Sequence, residues 1–489
     1  MQLLDRIRHH AHHQPDRIAL SDESASLSYA QLVQAIEKRA DQLKHADAKS
    51  VALTGDNSVS WALWDLACLR AGVINTPLPG FFSQTQTENV IRQAGIDTFI
   101  DADGDSLSAG NSCEGKAAHA APAGTAKITF TSGSTADPKG VCLSKANLDS
   151  TVASLASSVG TTGITEHLCV LPLATLLENV AGVYLPLWLG AHTRFCARDQ
   201  LGFNGTRLDI FRLIKTLSDV APQSVILVPE LLSALVKAAD LGLPLPDSLA
   251  FVAVGGGRVS PAVIERAWQH GLPVHQGYGL SEATSVVALT PPGEGRADYA
   301  GKLLEHITAR IDEDDHLLIQ GDSIMLGYLG EPEPASRWLD TGDLGQLDAD
   351  GYLKILGRSK NLLITSWGRN ISPEWVESEL LSEPVILQAM VLGEAELGLR
   401  AVIYAMPGIS SEQISAAVAR CNARLPEYAR IIDTIRSQQP FATDNGLLTG
   451  NGRLRRAAIE AHFQDINPET FPKNPQTQCD TVSRKENRQ

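Results

Sequence analysis

Four hydroxyl side chains crowd around a glycine at Thr131-Ser132-Gly133-Ser134-Thr135, and Lys139-Gly140 follow four residues later. The run into this loop, Thr129-Phe130-Thr131, is β-branched and aromatic and reads as the end of a strand. Amide N–H groups left open at Gly133, together with the hydroxyls, can cradle phosphate oxygens, and Lys139 adds a point charge. This is not a Walker A loop. That motif has Gly-x-x-x-x-Gly-Lys-Ser/Thr opening a helix, whereas Lys139 lies between Pro138 and Gly140-Val141-Cys142. A Ser/Thr-rich surface turn has the same composition. The length of the run, the lysine and the strand before it favour a phosphate.

Three other stretches carry chemistry. Gly255-Gly256-Gly257 closes one strand, and Gln276-Gly277-Tyr278-Gly279-Leu280-Ser281-Glu282-Ala283 closes another. Gly277 and Gly279 permit a sharp turn with the Tyr278 ring exposed for stacking on a purine. Ser281 supplies a hydroxyl donor, and Glu282 a hard oxygen ligand for a phosphate-bound magnesium ion. Leu339-Asp340-Thr341-Gly342-Asp343 sets two carboxylates about a glycine turn, where Asp343 can accept from ribose hydroxyls. Taken singly, Gly-Tyr-Gly is equally a tight turn, and an isolated glutamate usually faces solvent.

The elements that must position these residues alternate. Val51–Gly55 and Val73–Pro79 read as strands, and between them Trp61–Ala71 is an apolar helix ending at Gly72. Strand-like runs recur at 168–173, 193–197, 224–228 and 251–254, several leading into the stretches above. Such alternation predicts an α/β fold with doubly wound sheets, whose sites collect at the strands' carboxyl ends. Residues 176–189 form an almost wholly apolar helix, either core or the wall of an apolar pocket. Residues 101–124 read as a solvated loop. Turn-punctuated β segments fill 296–356, and amphipathic helices follow near 373–382 and 410–424.

The totals exclude some classes. Lys plus Arg less Asp plus Glu is 41 − 56 = −15, which argues against a nucleic-acid or anionic-membrane surface. The seven cysteines are scattered without a Cys-x-x-Cys pair and read as reduced thiols of a cytoplasmic protein. No apolar run is long enough to span a bilayer, and the N-terminus has no apolar signal core. His9-His10-Ala11-His12-His13 reads as the exposed end of a first helix rather than a metal site.

Taken together and in this order, Thr131-Ser-Gly-Ser-Thr with Lys139-Gly, Tyr278-Gly-Leu-Ser-Glu, Thr341-Gly-Asp and Gly357-Arg-Ser-Lys360 resemble the adenylate-forming superfamily. That superfamily holds acyl-CoA synthetases, luciferases and the adenylation domains of peptide synthetases. The likeness covers nearly the whole chain, about 5–463. The stretch from Gly357 to Glu374, Gly271-Leu-Pro-Val and Asn445-Gly-Leu-Leu-Thr449 look most like the long-chain fatty acyl-CoA synthetase branch.

The resemblance implies a large, multi-subdomain N-terminal domain (1–357), a small, mobile α+β C-terminal domain (358–463) after a hinge near Lys360, and a disordered tail (464–489). It implies ATP, Mg2+ and coenzyme A as cofactors and a carboxylic acid, a medium or long-chain fatty acid, as substrate. The acid would become acyl-AMP and then a thioester. The loop with Thr131, Ser132, Gly133, Ser134, Thr135 and Lys139 would hold phosphates, Ser281 the α-phosphate and Glu282 the metal. Tyr278, between Gly277 and Gly279, would meet adenine, and Asp343 with Arg358 the ribose. Gly255 and Gly256 would line the ligand cleft, and Gly368 the thiol's tunnel. The family's C-terminal lysine falls at Arg453 in Thr449-Gly-Asn-Gly-Arg453. Arginine keeps the charge but carries it on a wider, planar fork. Two alternatives remain: an acyl-AMP ligase loading the phosphopantetheine of a carrier protein, and a catalytically weak acyl- or nucleotide-binding regulator.

Overall fold

The computed structural model describes residues 1–109, 119–131, 138–205, 207–332, 336–364, 369–394, 398–450 and 452–466. Two large sheets organise the N-terminal part. In the first, parallel strands Ser50–Thr54, Ile74–Pro77 and Thr98–Asp101 lie beside Thr125–Thr131, which pairs antiparallel with Lys139–Ser144. In the second, Val274–Tyr278, Phe251–Val254, Ser224–Leu227, Glu166–Cys169 and His192–Phe195 run parallel in that spatial order. Helices pack against these sheets, burying most residues of the central strands on both faces. The helix Val59–Ala71 is capped by the Ser58 side chain on the Trp61 amide and stopped at Gly72, whose φ of 77° is left-handed. Buried residues surround it on every side, which explains why its sequence has no polar stripe.

A four-stranded antiparallel sheet, Ile307–Ile311, His316–Gly321, Leu339–Leu347 and Leu353–Arg358, follows. The small C-terminal unit packs helices Pro373–Leu381 and Ser411–Arg424 on strands Ile386–Glu394, Gly398–Ala405 and Ile431–Arg436, around its own apolar cluster. The expected α/β class with a large and a small domain is what the chain adopts. Two expectations need correction. Residues 101–124 are not all loop, because Ser106–Ala109 pairs antiparallel with Thr98–Asp101. The last helix, Arg456–Ile466, takes in 464–466, which the sequence places in the tail; Ile459 and Phe463 anchor it in a buried cluster. Residues 467–489 lie outside the described residues. The five described cysteines, Cys68, Cys142, Cys169, Cys196 and Cys421, are free and buried. No described helix is long and apolar enough to cross a membrane.

One feature of the core is invisible in composition. Lys127, in the middle of the strand entering the hydroxyl loop, is fully buried with Asp65, and their charged atoms are 2.7 Å apart. Lys127 also donates to Tyr184 Oη at 2.9 Å and to Asn179 Oδ1. Asp65 accepts from Tyr184 (2.5 Å), Asn179 (2.9 Å) and Asn75 (2.6 Å). Both charges are thus fully hydrogen-bonded, the condition under which a buried pair is tolerated. Lys127→Met should lower unfolding stability by about 3–5 kcal/mol, because it leaves the Asp65 charge unpaired. Urea unfolding followed by tryptophan fluorescence checks this, and Lys127→Met with Asp65→Leu should recover part of the loss.

Candidate active site

The nucleotide side is built where two sheets meet. Asp343 and Arg358 sit opposite each other on antiparallel strands, with Arg358 Nε 2.8 Å from Asp343 Oδ1. Tyr278 Oη donates to Asp343 Oδ2 at 2.6 Å. Burial pushes the Asp343 carboxyl up and Arg358 opposes it. Burial and the neighbouring carboxylate hold the Tyr278 hydroxyl well above its ordinary value, so it stays a donor. Tyr278 lines the cleft. The turn after it is strained: Thr284 and Ser285 have φ of 53° and 85°, a conformation costing about 1–3 kcal/mol per non-glycine residue. Thr284 Oγ1 donates to the Ser323 carbonyl at 2.6 Å and fixes that bend. Gly279 faces the bend so closely that a Cβ there would collide with the Ser285 carbonyl.

On the phosphate side, Glu282 accepts from Tyr328 Oη at 2.8 Å. Lys139 reaches Glu331 at 2.9 Å, and its Nζ lies 4.7 Å from the Tyr328 ring centroid. These contacts follow from pairing of Gly327–Tyr328 with Lys139–Ser144. Thr131 ends its strand on the same cleft. Ser132, Gly133, Ser134 and Thr135 lie outside the described residues, as does Gly368. Tyr328 and Thr284 were not anticipated. Their partners are far away in sequence, so no local pattern marks them.

The small domain closes the cleft. Gly450 lies so near Phe81 that a Cβ would meet its carbonyl oxygen, and three residues later Arg453 points into the cleft. Arg453 is solvent-exposed there. Burial and then Arg358 lower its pKa, while Glu230, Asp343 and Glu282 pull it back up. Glu230, at the start of the helix Pro229–Asp240, is a further unanticipated cleft carboxyl; burial raises its pKa and Arg453 opposes the shift. Lys360 lines the cleft in the short turn Ser359–Asn361. Arg456 holds the small domain together, forking onto both Glu377 carboxylate oxygens at 2.8 and 2.7 Å.

The remaining wall is apolar. In register, Ser224 lies beside Phe251 and Ile226 beside Ala253, so these side chains share one face of the second sheet. Gly255 and Gly277 continue that face at the cleft end, where Ser281 and Gly256 also line the space. Opposite stands the segment expected as one apolar helix. It is a π-helical stretch, Glu178–Tyr184, continuing as the α-helix Leu185–Leu189. Leu177, Ala181 and Leu185 face the sheet across a continuous cleft. Gln276, Gly277 and Tyr278 thus join the nucleotide side to an apolar channel running beneath the sheet.

Residues 7–329 match the AMP-binding enzyme family. The chain belongs to that family. The 2-succinylbenzoate–CoA ligase of Bacillus subtilis is 27% identical over 427 residues, 78% of this chain and 82% of the relative. A Mycobacterium bovis long-chain-fatty-acid–CoA ligase is 35% identical over 142 residues, but these are 28% of this chain and 24% of that protein. Among solved structures, the o-succinylbenzoate CoA synthetase of Bacillus subtilis with its acyl-adenylate superposes with a TM-score of 0.75. The two are 24% identical, over 93% of this chain and 97% of that one. The adenylate-forming assignment therefore holds, and the chain is an AMP-forming acid–thiol ligase that activates an acid with ATP. The expected closeness to long-chain enzymes is corrected: the long-chain relative matches one segment, while relatives that match most of the chain are ligases named for diacids, 2-succinylbenzoate among them. The carrier-protein acceptor gains no support from these relatives.

Gly279→Ala should abolish ATP-dependent turnover, because the methyl group would displace the bend at Thr284–Ser285 and with it Tyr278. Fluorescence titration with ATP should show binding weakened by at least about tenfold, while the far-ultraviolet circular dichroism stays native.

Proposed function

We propose that this enzyme activates a medium or long-chain fatty acid and passes the acyl group to coenzyme A. The observation carrying this reading is the channel between the sheet face Ile226–Ala253–Phe251 and the helical wall Ala181–Leu185. From Gly255 to Phe251 it follows four strand residues, a run of about 13 Å. The relatives' names favour a second reading, 2-succinylbenzoate. That acid keeps a second carboxylate after activation, and among the described residues these two channel walls offer no Lys or Arg to pair with it. An unpaired buried carboxylate is costly, which favours an alkyl chain.

In the proposed chemistry a carboxylate oxygen attacks the α-phosphorus of ATP and the bond to the bridging oxygen breaks, releasing pyrophosphate. The thiol then attacks the acyl carbon and AMP leaves. Two anions must first be brought together, so the site's cations act on charge developing at phosphate. Lys139 and the hydroxyl loop would bind the outer phosphates, and Ser281 would donate to the α-phosphate. Tyr278 would stack on adenine, and Asp343 and Arg358 would turn from each other to the ribose. Glu282, a cleft carboxylate whose present partner is one hydroxyl, suits a magnesium ion, which would supply charge neutralisation at the phosphates. Arg453 would bridge the substrate carboxylate and the phosphate. The small domain, taken as 358–463, would pivot near Lys360 between the two half-reactions, bringing Gly368 to the thiol. Its free, buried thiols suit a reducing cytoplasm.

The test is acid-dependent pyrophosphate release with ATP and magnesium, over saturated acids from hexanoate to hexadecanoate and with 2-succinylbenzoate. A maximum within the alkyl series, rising with coenzyme A, is expected, and Ala253→Phe should move it to shorter acids. Turnover confined to 2-succinylbenzoate would overturn the reading. Arg453→Ala should cut the adenylation step by about 10²–10³-fold, yet leave thioester formation from supplied acyl-AMP nearly unchanged.

A further inference from the structure

Between the second sheet and the π-helical wall, three side chains with metal-binding atoms meet in the dry interior. His167 and Cys169 are two residues apart on the strand Glu166–Cys169, so both side chains leave the same face of the sheet. Glu178 opens the π-helical stretch Glu178–Tyr184, which packs on that strand. His167 is 4% exposed and Cys169 and Glu178 are 0% exposed. One ligand atom from each lies within 4.8 Å of the other two. His167 Nε2 and Glu178 Oε1 are 3.7 Å apart, and neither they nor Glu178 Oε2 makes a hydrogen bond. Buried polar atoms without partners are rare and costly. Gly182 permits the approach: a Cβ there would lie 2.7 Å from Glu178 Oε1 and 3.0 Å from His167 Nε2.

We propose that His167, Cys169 and Glu178 hold a zinc ion that clips this strand to the wall of the channel. Imidazole and thiolate together select zinc over magnesium or calcium, and carboxylate is an ordinary third ligand. An imidazole nitrogen and a carboxylate oxygen on one tetrahedral ion stand about 3.4 Å apart. The observed 3.7 Å is close to that spacing and too long for a hydrogen bond. The ion occupies the gap between its own ligands, so it needs neither a cavity beside them nor a path from the channel. A site of this kind is filled as the chain folds. Binding releases the thiol proton, and thiolate and carboxylate then offset the two positive charges, so the interior gains no net charge. His167 Nδ1 lies 2.8 Å from Ser224 Oγ. Donating there leaves the Nε2 lone pair for the metal, the outer hydrogen bond that orients a histidine ligand. The Gly182 carbonyl oxygen, which the Cys169 thiol meets at 3.4 Å, is at hand for a fourth position. Leu177, Ala181 and Leu185 line the channel from this wall. The ion's role is to fix that wall, remote from the reacting carboxylate and independent of which acid is activated.

The test uses the full chain grown in zinc-replete medium, with metals measured by atomic absorption. About one zinc per chain is expected. The folded protein should keep it against a chromophoric chelator and release it in step with urea unfolding, followed by tryptophan fluorescence. Glu178→Gln and Cys169→Ala should each lose the ion. Ser224→Ala, which keeps all three ligands, should weaken retention by about 10–100-fold. Replacing the exposed His9 and His13 by Ala should leave the zinc in place. Protein grown with cobalt in place of zinc should show a thiolate-to-metal charge-transfer absorption that vanishes in Cys169→Ala and persists in Cys196→Ala. A chain without zinc, zinc captured at once from the folded protein, zinc lost with the two surface histidines, or ligand variants that retain it would overturn the proposal. If the ligand variants fail to fold, the cobalt spectrum of the wild type decides: a thiolate band sustains the site, and its absence sinks it.

Discussion

A lysine–aspartate pair in the dry interior sets the frame for the rest of the molecule. Lys127 belongs to the strand Thr125–Thr131, Asp65 to the helix Val59–Ala71, Asn75 to the strand Ile74–Pro77, and Asn179 and Tyr184 to the π-helical wall of the channel. Apolar packing alone would let these elements slide by fractions of a side chain. A network in which every donor has a specified acceptor does not, because a slip exposes charge to a medium unable to solvate it. The strand that enters the hydroxyl loop and the helix that walls the apolar channel are therefore held in one register. Adenylation joins a phosphate to a carboxylate, so this register matters to the chemistry as much as to stability.

Around that frame the cleft is assembled from carboxylates and cations that hold one another through contacts at its surface. Asp343 is held by a tyrosine and an arginine, Glu282 by a tyrosine, and Lys139 by Glu331. Each partner can be exchanged for a nucleotide group of the same character at small net cost, since a hydrogen bond traded for another changes little. Arg453 is different. It sits near Arg358, a like charge whose effect on it Glu230, Asp343 and Glu282 oppose. An arginine in this place stays cationic through that repulsion, where a lysine would more readily lose its proton.

Much of this was legible in the sequence, for a physical reason. Motifs that touch nucleotides use main-chain geometry, and main-chain geometry needs glycine at fixed spacing: Gly277, Gly279 and Gly342 announce their turns. The apolar helix read as Trp61–Ala71, with its stop at Gly72, was equally readable, though its start at Val59 was not. What could not be read were pairings across long separations, among them Lys127 with Asp65 and Glu282 with Tyr328. The segment 176–189 shows the limit most clearly. Its hydropathy is that of core, yet Glu178 and Asn179 are both buried within it, and Asn179 ties it to Asp65. A single glutamate at the end of an apolar run looks like a helix terminus, and only the fold places it beside His167.

The contact between the two domains has a composition suited to movement. Lys237 donates to the Ile386 carbonyl at 2.7 Å, Arg266 to the Ser382 carbonyl at 2.9 Å and Ser260 to Glu379 at 3.0 Å. The apolar clusters of the small domain are distinct from those of the large one. Separating an apolar interface exposes area at a cost of about 25 cal/mol per Å². Separating hydrogen bonds to carbonyls exchanges them for water at a net of about 1 kcal/mol each. The polar contacts at Lys237, Arg266 and Ser260 are of the second kind, whereas the Lys127–Asp65 pair lies wholly within the large domain.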